Sequence, residues 1–433
     1  MRIARFETLR WRDICKAAPG NKRMMTITGR NGHHAVRTAR NDAPEPRPSD
    51  DGRDEAPETP LDEPRPQPVK DPPAEPDKGP YVAALGLIVV LTSSMVACAH
   101  LGTPSKNNVA GRYVTAQGRL AAIRRAQVWS PTNVASMDVR QGPAADDGFK
   151  PNESVTCNYT EKKMSGRSPK FACLLGPEDQ VKVKYGRHNG EVYAEVAATR
   201  LFWALGFASD RVYPVQVICR GCPPSIQDTA LATIQRKIGK DIETSDGSGW
   251  AWKELDQVDP GAGGAPRAQR DALKLLAVFI QHTDSKPEQQ RLICLDKGEK
   301  PAGDQSCEQT FMIVHDLGQT FGKANTFNRN SVGSVNLENW SKAPVWADSK
   351  GCVANLPKSW TGSLENPPIT EEGRKFLADL LGQLTDAQLH ALFEVSRFPQ
   401  RVDAGGPAAA ATIDRWVEAF KAKRNDIVQR SCA

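Results

Sequence analysis

The sequence predicts an α+β fold of two lobes, a small β-rich N-lobe followed by a helical C-lobe. Three observations carry that expectation. Short β-like runs at 154–159, 170–175 and 180–185 stand ahead of a helical stretch at 191–205. From residue 267 onward the apolar spacing is mostly helical, at 267–281, 371–381, 386–396 and 413–429. Inside that second half lie two acidic motifs, His282-Thr283-Asp284-Ser285-Lys286-Pro287-Glu288-Gln289 and His315-Asp316-Leu317-Gly318.

At 433 residues the chain has room for one large domain and extensions. Its net charge of +6 is spread over interleaved acidic and basic residues, so no basic stripe marks a nucleic-acid partner. Residues 1–80 read as a disordered extension, because 43–80 is dominated by Pro, Asp, Glu and Arg and buries too little apolar surface to offset chain entropy. Residues 81–98 are uncharged and apolar over the length of a membrane-inserting segment. That run ends in Met95-Val96-Ala97-Cys98, which resembles a bacterial lipoprotein box and implies lipidation of Cys98. An uncleaved signal anchor and a buried core helix are the alternatives. Residues 99–147 read as a tether and irregular region, and 148–433 as the folded domain, with the N-lobe at 148–222 and the C-lobe at 223–433.

The cysteines after Cys98 form an even set. Their separations favour Cys157 with Cys173, Cys219 with Cys222 and Cys294 with Cys307, leaving Cys352 with Cys432. Cys219-Arg220-Gly221-Cys222 also reads as half of a zinc site, but no second half is present downstream. The expected compartment is oxidising, with the domain membrane-anchored and extracytoplasmic, in a bacterial periplasm or at the cell surface.

Along the folded part, Thr160 to Pro169 joins the first two strands and contains Ser165-Gly166-Arg167-Ser168-Pro169, either a phosphate-covering loop or an ordinary hairpin loop. In Val181-Lys182-Val183-Lys184 strict alternation puts both lysines on one strand face, the usual pattern of a half-solvated strand. The helix at 191–205 turns Val192, Val196, Leu201, Phe202 and Leu205 inward and stops at Gly206. Its Glu191 and Glu195 are one turn apart on one side, where one of them can pair with a lysine. Strands come next at 211–219 and 228–238. A Gly- and Pro-rich stretch at 259–266 precedes the helix 267–281, which delivers His282 and Asp284. A hairpin of 292–295 and 311–314 carries the two acidic motifs at its ends, and Thr370 and Thr385 are suited to cap the next two helices. His282 and His315 read as structural hydrogen-bonding residues. The tryptophans, among them Trp203, Trp250, Trp252, Trp340 and Trp346, read as core or loop packing.

The paired motifs resemble the catalytic core of protein kinases, H-R-D-x-x-x-x-N followed by D-F-G. Arg187-His188-Asn189, Ala194-Glu195-Val196-Ala197-Ala198, Leu205-Gly206-Phe207 and Asp210-Arg211-Val212-Tyr213-Pro214-Val215 resemble the helix region of the secretory-pathway atypical kinases, the Golgi casein kinase and its relatives. A more distant similarity is to HipA-like kinases. Asp316-Leu317-Gly318-Gln319-Thr320-Phe321-Gly322 is similar to the first family's D-x-G-x-x-F-G, and the similar segments span about 155–322. The resemblance implies a protein-kinase-like fold using ATP and a divalent metal, Mg or Mn. It implies that Asp284 orients and deprotonates an acceptor hydroxyl, that Lys286 neutralises the transferring phosphoryl group and that Asp316 binds the metal. Lys184, with Lys182 as its substitute, would hold the nucleotide phosphates and pair with Glu195. Thr283 replaces the usual Arg, and Gln289 stands at the metal-binding Asn position. The implied function is a membrane-tethered phosphotransferase moving the γ-phosphate of ATP to a hydroxyl acceptor that the sequence does not identify. A nucleotide-binding pseudokinase and a structural or interaction surface lipoprotein without catalysis are the alternatives.

Overall fold

The computed structural model describes residues 112–432 apart from 246, 248, 296–306, 308, 324–333, 349 and 402–411. The extension 1–80, the apolar run 81–98 and Cys98 lie outside the described residues. The first elements are a short strand, β1 (Arg112–Tyr113), and a helix, α1 (Ala116–Arg124). The stretch 112–147 thus differs from the tether expected of it. Ala122, Ile123, Val128, Val134 and Val139 are buried, and the Trp129 indole donates to the Leu205 carbonyl at 2.8 Å. The signal was weak because α1 is arginine-rich and the apolar residues after it keep no period. Tertiary contacts, not local pattern, hold them in place.

The alternating runs close into a barrel. β2 (Glu153–Thr160), β3 (Lys170–Gly176) and β4 (Asp179–Tyr185) form an antiparallel meander. α2 (Glu191–Ala204) intervenes before β5 (Arg211–Arg220) and β6 (Ala232–Arg236). The strand order is β2-β3-β4-β6-β5, and parallel pairing of β5 with β2 completes the ring. Period-2 alternation sends Val155, Phe171, Val181, Val183, Tyr213, Val215 and Ile234 into the barrel core, around the Cys157–Cys173 disulfide. β6 begins four residues later than the run read from the sequence, because Asp228 takes a left-handed turn conformation and accepts from the Arg187 backbone amide at 2.8 Å.

α2 is buried on nearly every side. It stops where Gly206 adopts a φ of 85°; a Cβ there would lie 2.1 Å from the Ser130 carbonyl oxygen, so only glycine fits. The remaining elements are β7 (Lys240–Glu243), α3 (Arg267–Phe279), β8 (Gln290–Cys294), β9 (Thr310–Val314), α4 (Leu337–Lys342), α5 (Glu371–Gly382), α6 (Asp386–Val395) and α7 (Ile413–Gln429). β1, β7, β8 and β9 make a second sheet in that order. Helices α3 to α7 bury a larger core in which Phe279, Phe321, Trp340, Phe393, Trp416 and Phe420 pack edge to face. Thr370 and Thr385 accept from the backbone amides of Gly373 and Gln388, each at 3.2 Å, and so cap α5 and α6.

Four disulfides join Cys157 to Cys173, Cys219 to Cys222, Cys294 to Cys307 and Cys352 to Cys432. The Cys219–Cys222 bond uses the thiols that a half zinc site would have needed. Such a set is compatible with an extracytoplasmic location. Among the described residues no helix is long and apolar enough to cross a membrane.

Candidate functional site

Lys184 ends the outward-facing row of β4, and its ammonium is almost wholly buried. The first turns of α2 bring Glu191 Oε2 to 2.6 Å and Glu195 Oε1 to 2.5 Å from its Nζ. The loop after β9 brings Asp316 Oδ1 to 3.3 Å. Both helix glutamates bond the lysine, where the sequence offered a choice of one. Gly318 permits this approach, since a Cβ there would come within 2.7 Å of Glu191 Cγ. Gln319 donates its side-chain amide to Glu191 at 3.0 Å.

One ammonium thus faces three carboxylates whose oxygens lie within 4.8 Å of one another. Burial by itself would strip Lys184 of its proton, but Asp316, Glu191 and Glu195 outweigh it and hold the lysine well above its ordinary value. Burial also disfavours the Asp316 carboxylate, yet Lys184 and then Lys182 keep that group well below the usual range. Glu195 goes the other way, pushed by burial up to about 8 against the pull of Lys184. The cluster therefore has more negative charge than its lysine balances. All its donors are hard oxygens, the set that suits Mg²⁺ or Mn²⁺. The residues present fit such an ion.

The two acidic motifs run side by side, joined through the backbone. Thr283 N donates to Gln319 O at 3.1 Å and Phe321 N to Ile280 O at 2.7 Å. The amides of His315 and Asp316 both converge on the Gln289 carbonyl, at 3.0 and 3.3 Å. Asp284 is partly buried and lies 3.2 Å from the Lys286 ammonium. Its Oδ2 accepts from the Gln289 amide at 2.7 Å, while Oδ1 accepts no hydrogen bond. Oδ1 is buried, faces the Lys286 ammonium, and is the oxygen without a hydrogen bond among the described residues. Gln289 thus gives its amide N–H to Asp284, and the amide oxygen that would serve as a metal ligand takes no part in that bond. Lys182 is half-buried two residues before Lys184 on the same strand face.

Other contributors could not be read from the motifs. Buried Asp210, after α2, accepts from Arg291 of β8 at 2.5 Å and from Gln235 of β6 at 3.1 Å, and sits 3.6 Å from His315 Nδ1. Arg291 also reaches Asp241 at 2.5 Å. This network anchors β8, the strand paired with β9, which leads into Asp316. Asp210 lies in a matched string, but its partner 81 positions away had no sequence signal. Ser285 Oγ accepts from the amides of Ser363 and Leu364 at 3.1 and 3.0 Å, and Ser359 donates to the Thr283 carbonyl. The loop bearing Ser359 and Ser363 thus abuts Asp284, and it carries Trp360, fully exposed at 101% and so outside the packing role assigned to tryptophans.

His282 is buried with neither ring nitrogen bonded among the described residues, and burial lowers it to about 4. A base depressed from about 6.5 gives stability that is fully present above pH 6.5 and lost as pH falls through 4, about 3 kcal/mol in all. Melting curves between pH 7 and 4 should fall more steeply for the wild type than for His282→Leu. Equal slopes would remove His282 as the cause.

No family model matches the chain, and no curated protein does. A structural comparison finds a Helicobacter pylori proinflammatory kinase, CtkA, at 9% identity and a TM-score of 0.36, covering 65% of this chain and 95% of that one. A likeness that slight carries no argument, and the functional assignment rests on the side chains.

Proposed function

We propose that this protein is a membrane-tethered, protein-kinase-like phosphotransferase that moves the γ-phosphate of ATP to a hydroxyl acceptor. The observation that carries the proposal is the convergence of Lys184, Glu195 and Asp316 beside Asp284, Lys286 and Gln289, on two motifs linked backbone to backbone. In this assignment Lys184 holds the donor phosphates and Glu195 with Glu191 fixes its position. Asp316, with Glu191 and Glu195 nearby, would hold a divalent ion, which supplies charge neutralisation at the phosphate oxygens when bound.

Asp284 Oδ1 takes the proton of the acceptor hydroxyl as the new oxygen–phosphorus bond forms and the bond to the β,γ-bridging oxygen breaks, leaving ADP. Lys286 offsets negative charge on the transferring group from its place beside Asp284. Positioning and charge complementarity account for most of the rate in such transfers. The disulfides support a domain outside the cytoplasm, and the run at 81–98 supports the tether, with the membrane as its partner.

The test is a thermal shift of the full chain with ATP and Mg²⁺ or Mn²⁺. Ligand at about a hundred times its dissociation constant adds about 2.7 kcal/mol, a rise of a few degrees. The rise should need the metal and vanish in Asp316→Ala. No rise with either metal would leave the scaffold alternative.

A further inference from the structure

The cleft next to Lys184 and Asp316 is roofed by the outward faces of β3, β4 and β6. Strand registry places Lys182 between Ala172 and Gln235, so its side chain stands at the centre of that roof. A cavity of about 250 Å³ opens there, bounded also by Lys162, Gln180 and Lys237, with His315 from the segment that leads into Asp316. Among the described residues its wall holds three lysines and a histidine, with no Phe, Tyr or Trp and no carboxylate; Met164, Ala172 and Val181 are its apolar members.

A purine seat has the opposite character, with apolar or aromatic surface against the ring faces and few charges. Lys162 is engaged by the Gln180 side chain at 2.9 Å and Lys237 by Asp241 at 3.3 Å. Lys182 has no hydrogen-bond or ion-pair partner among the described residues, although it is half-buried. Lys170 lies across from Lys184 in the registry of β3 and β4, extending the cationic surface toward the Gly166 loop, where it donates to Ser168 at 3.2 Å. A row of ammonium groups leading to a carboxylate cluster suits a chain of phosphates, whose oxygens accept charge-assisted bonds along its length.

We propose, resting on the phosphotransferase assignment above, that this cleft recognises its donor by the phosphate chain and gains little from the base, with Lys182 as the residue that sets this preference. The ligand class is an oligophosphate, whether carried by a nucleoside or free as an inorganic chain. A nucleoside without phosphates has no seat here.

Calorimetric titration of the full chain with Mn²⁺ present, using ATP, inorganic tripolyphosphate and adenosine, tests this. Tripolyphosphate should bind within about threefold of ATP, and adenosine should not bind at millimolar concentration. Lys182→Ala should weaken ATP and tripolyphosphate alike by about tenfold, the usual loss for one charge-assisted bond. Lys182→Arg should retain both, which separates loss of charge from damage to the strand. ATP binding much more tightly than tripolyphosphate, or adenosine competing with ATP, would overturn the inference and leave the phosphotransferase assignment standing. Failure of both ATP and tripolyphosphate to bind the wild type would overturn the two together.

Discussion

Asp284→Asn is expected to cut phosphoryl transfer by about 10³-fold or more while leaving donor binding within about twofold of wild type. The substitution keeps the side chain's shape and an oxygen able to accept from the Gln289 amide. It removes the oxygen that takes a proton, Oδ1, which accepts no other hydrogen bond. Lys286 loses its ion partner but is 38% exposed, so water can solvate it and the fold should change by less than about 1 kcal/mol. Binding and chemistry therefore separate in one variant. Transfer of labelled γ-phosphate from ATP, measured beside the thermal shift, reads both. Turnover above a few per cent of wild type would remove Asp284 as the base. Unchanged binding in a wild type that shows no transfer to any hydroxyl acceptor would favour a nucleotide-binding protein without catalysis.

Local periodicity made part of the site legible and left the rest hidden. Two-residue alternation in Val181-Lys182-Val183-Lys184 was enough to place both lysines on one face, and i,i+4 spacing placed Glu191 and Glu195 on one helix side. Neither pattern says how deeply a group is buried, so the threefold carboxylate cage around Lys184 was not legible. Asp316 joins it from 132 positions away. The Asp210–Arg291–Asp241 network was hidden for the same reason, its members sitting on two strands and the loop after α2 with no shared motif. β1 and β7 are only two and four residues long, below the length at which alternation is readable; β7 forms on the edge of β8, and β1 on the edge of β7. The barrel's closure depends on parallel pairing of β2 with β5, a long-range contact between two strands that each read locally as ordinary. The cationic cleft is half visible in the sequence: alternation puts Lys182 on the face of Lys184, but its cavity depends on β3 and β6, which flank it.

Lys184→Met should abolish transfer and also destabilise the protein by about 3–5 kcal/mol, the usual result of removing one partner from a buried ion cluster. The methionine fills the same volume, so no cavity contributes; the loss comes from Glu191, Glu195 and Asp316 left to face one another without the ammonium. Protonation is the available relief. Glu195 already stands at about 8 by burial with the lysine in place, and removing that cation moves Glu195 and Asp316 upward. Acids whose folded pKa exceeds the unfolded value give stability that is present below the unfolded pKa and lost as pH rises through the folded one. The deficit of the variant should accordingly be largest near pH 8 and shrink toward pH 5.5, where the cluster can hold protons. Adding Glu195→Gln, which neutralises the most buried carboxylate, should recover part of the stability at pH 8 but none of the activity. Urea denaturation of wild type, single and double variants at the two pH values distinguishes these outcomes. A single variant as stable as wild type at pH 8 would mean that the lysine does not hold the three carboxylates together, and the geometry that supports phosphate binding by Lys184 would fall with it.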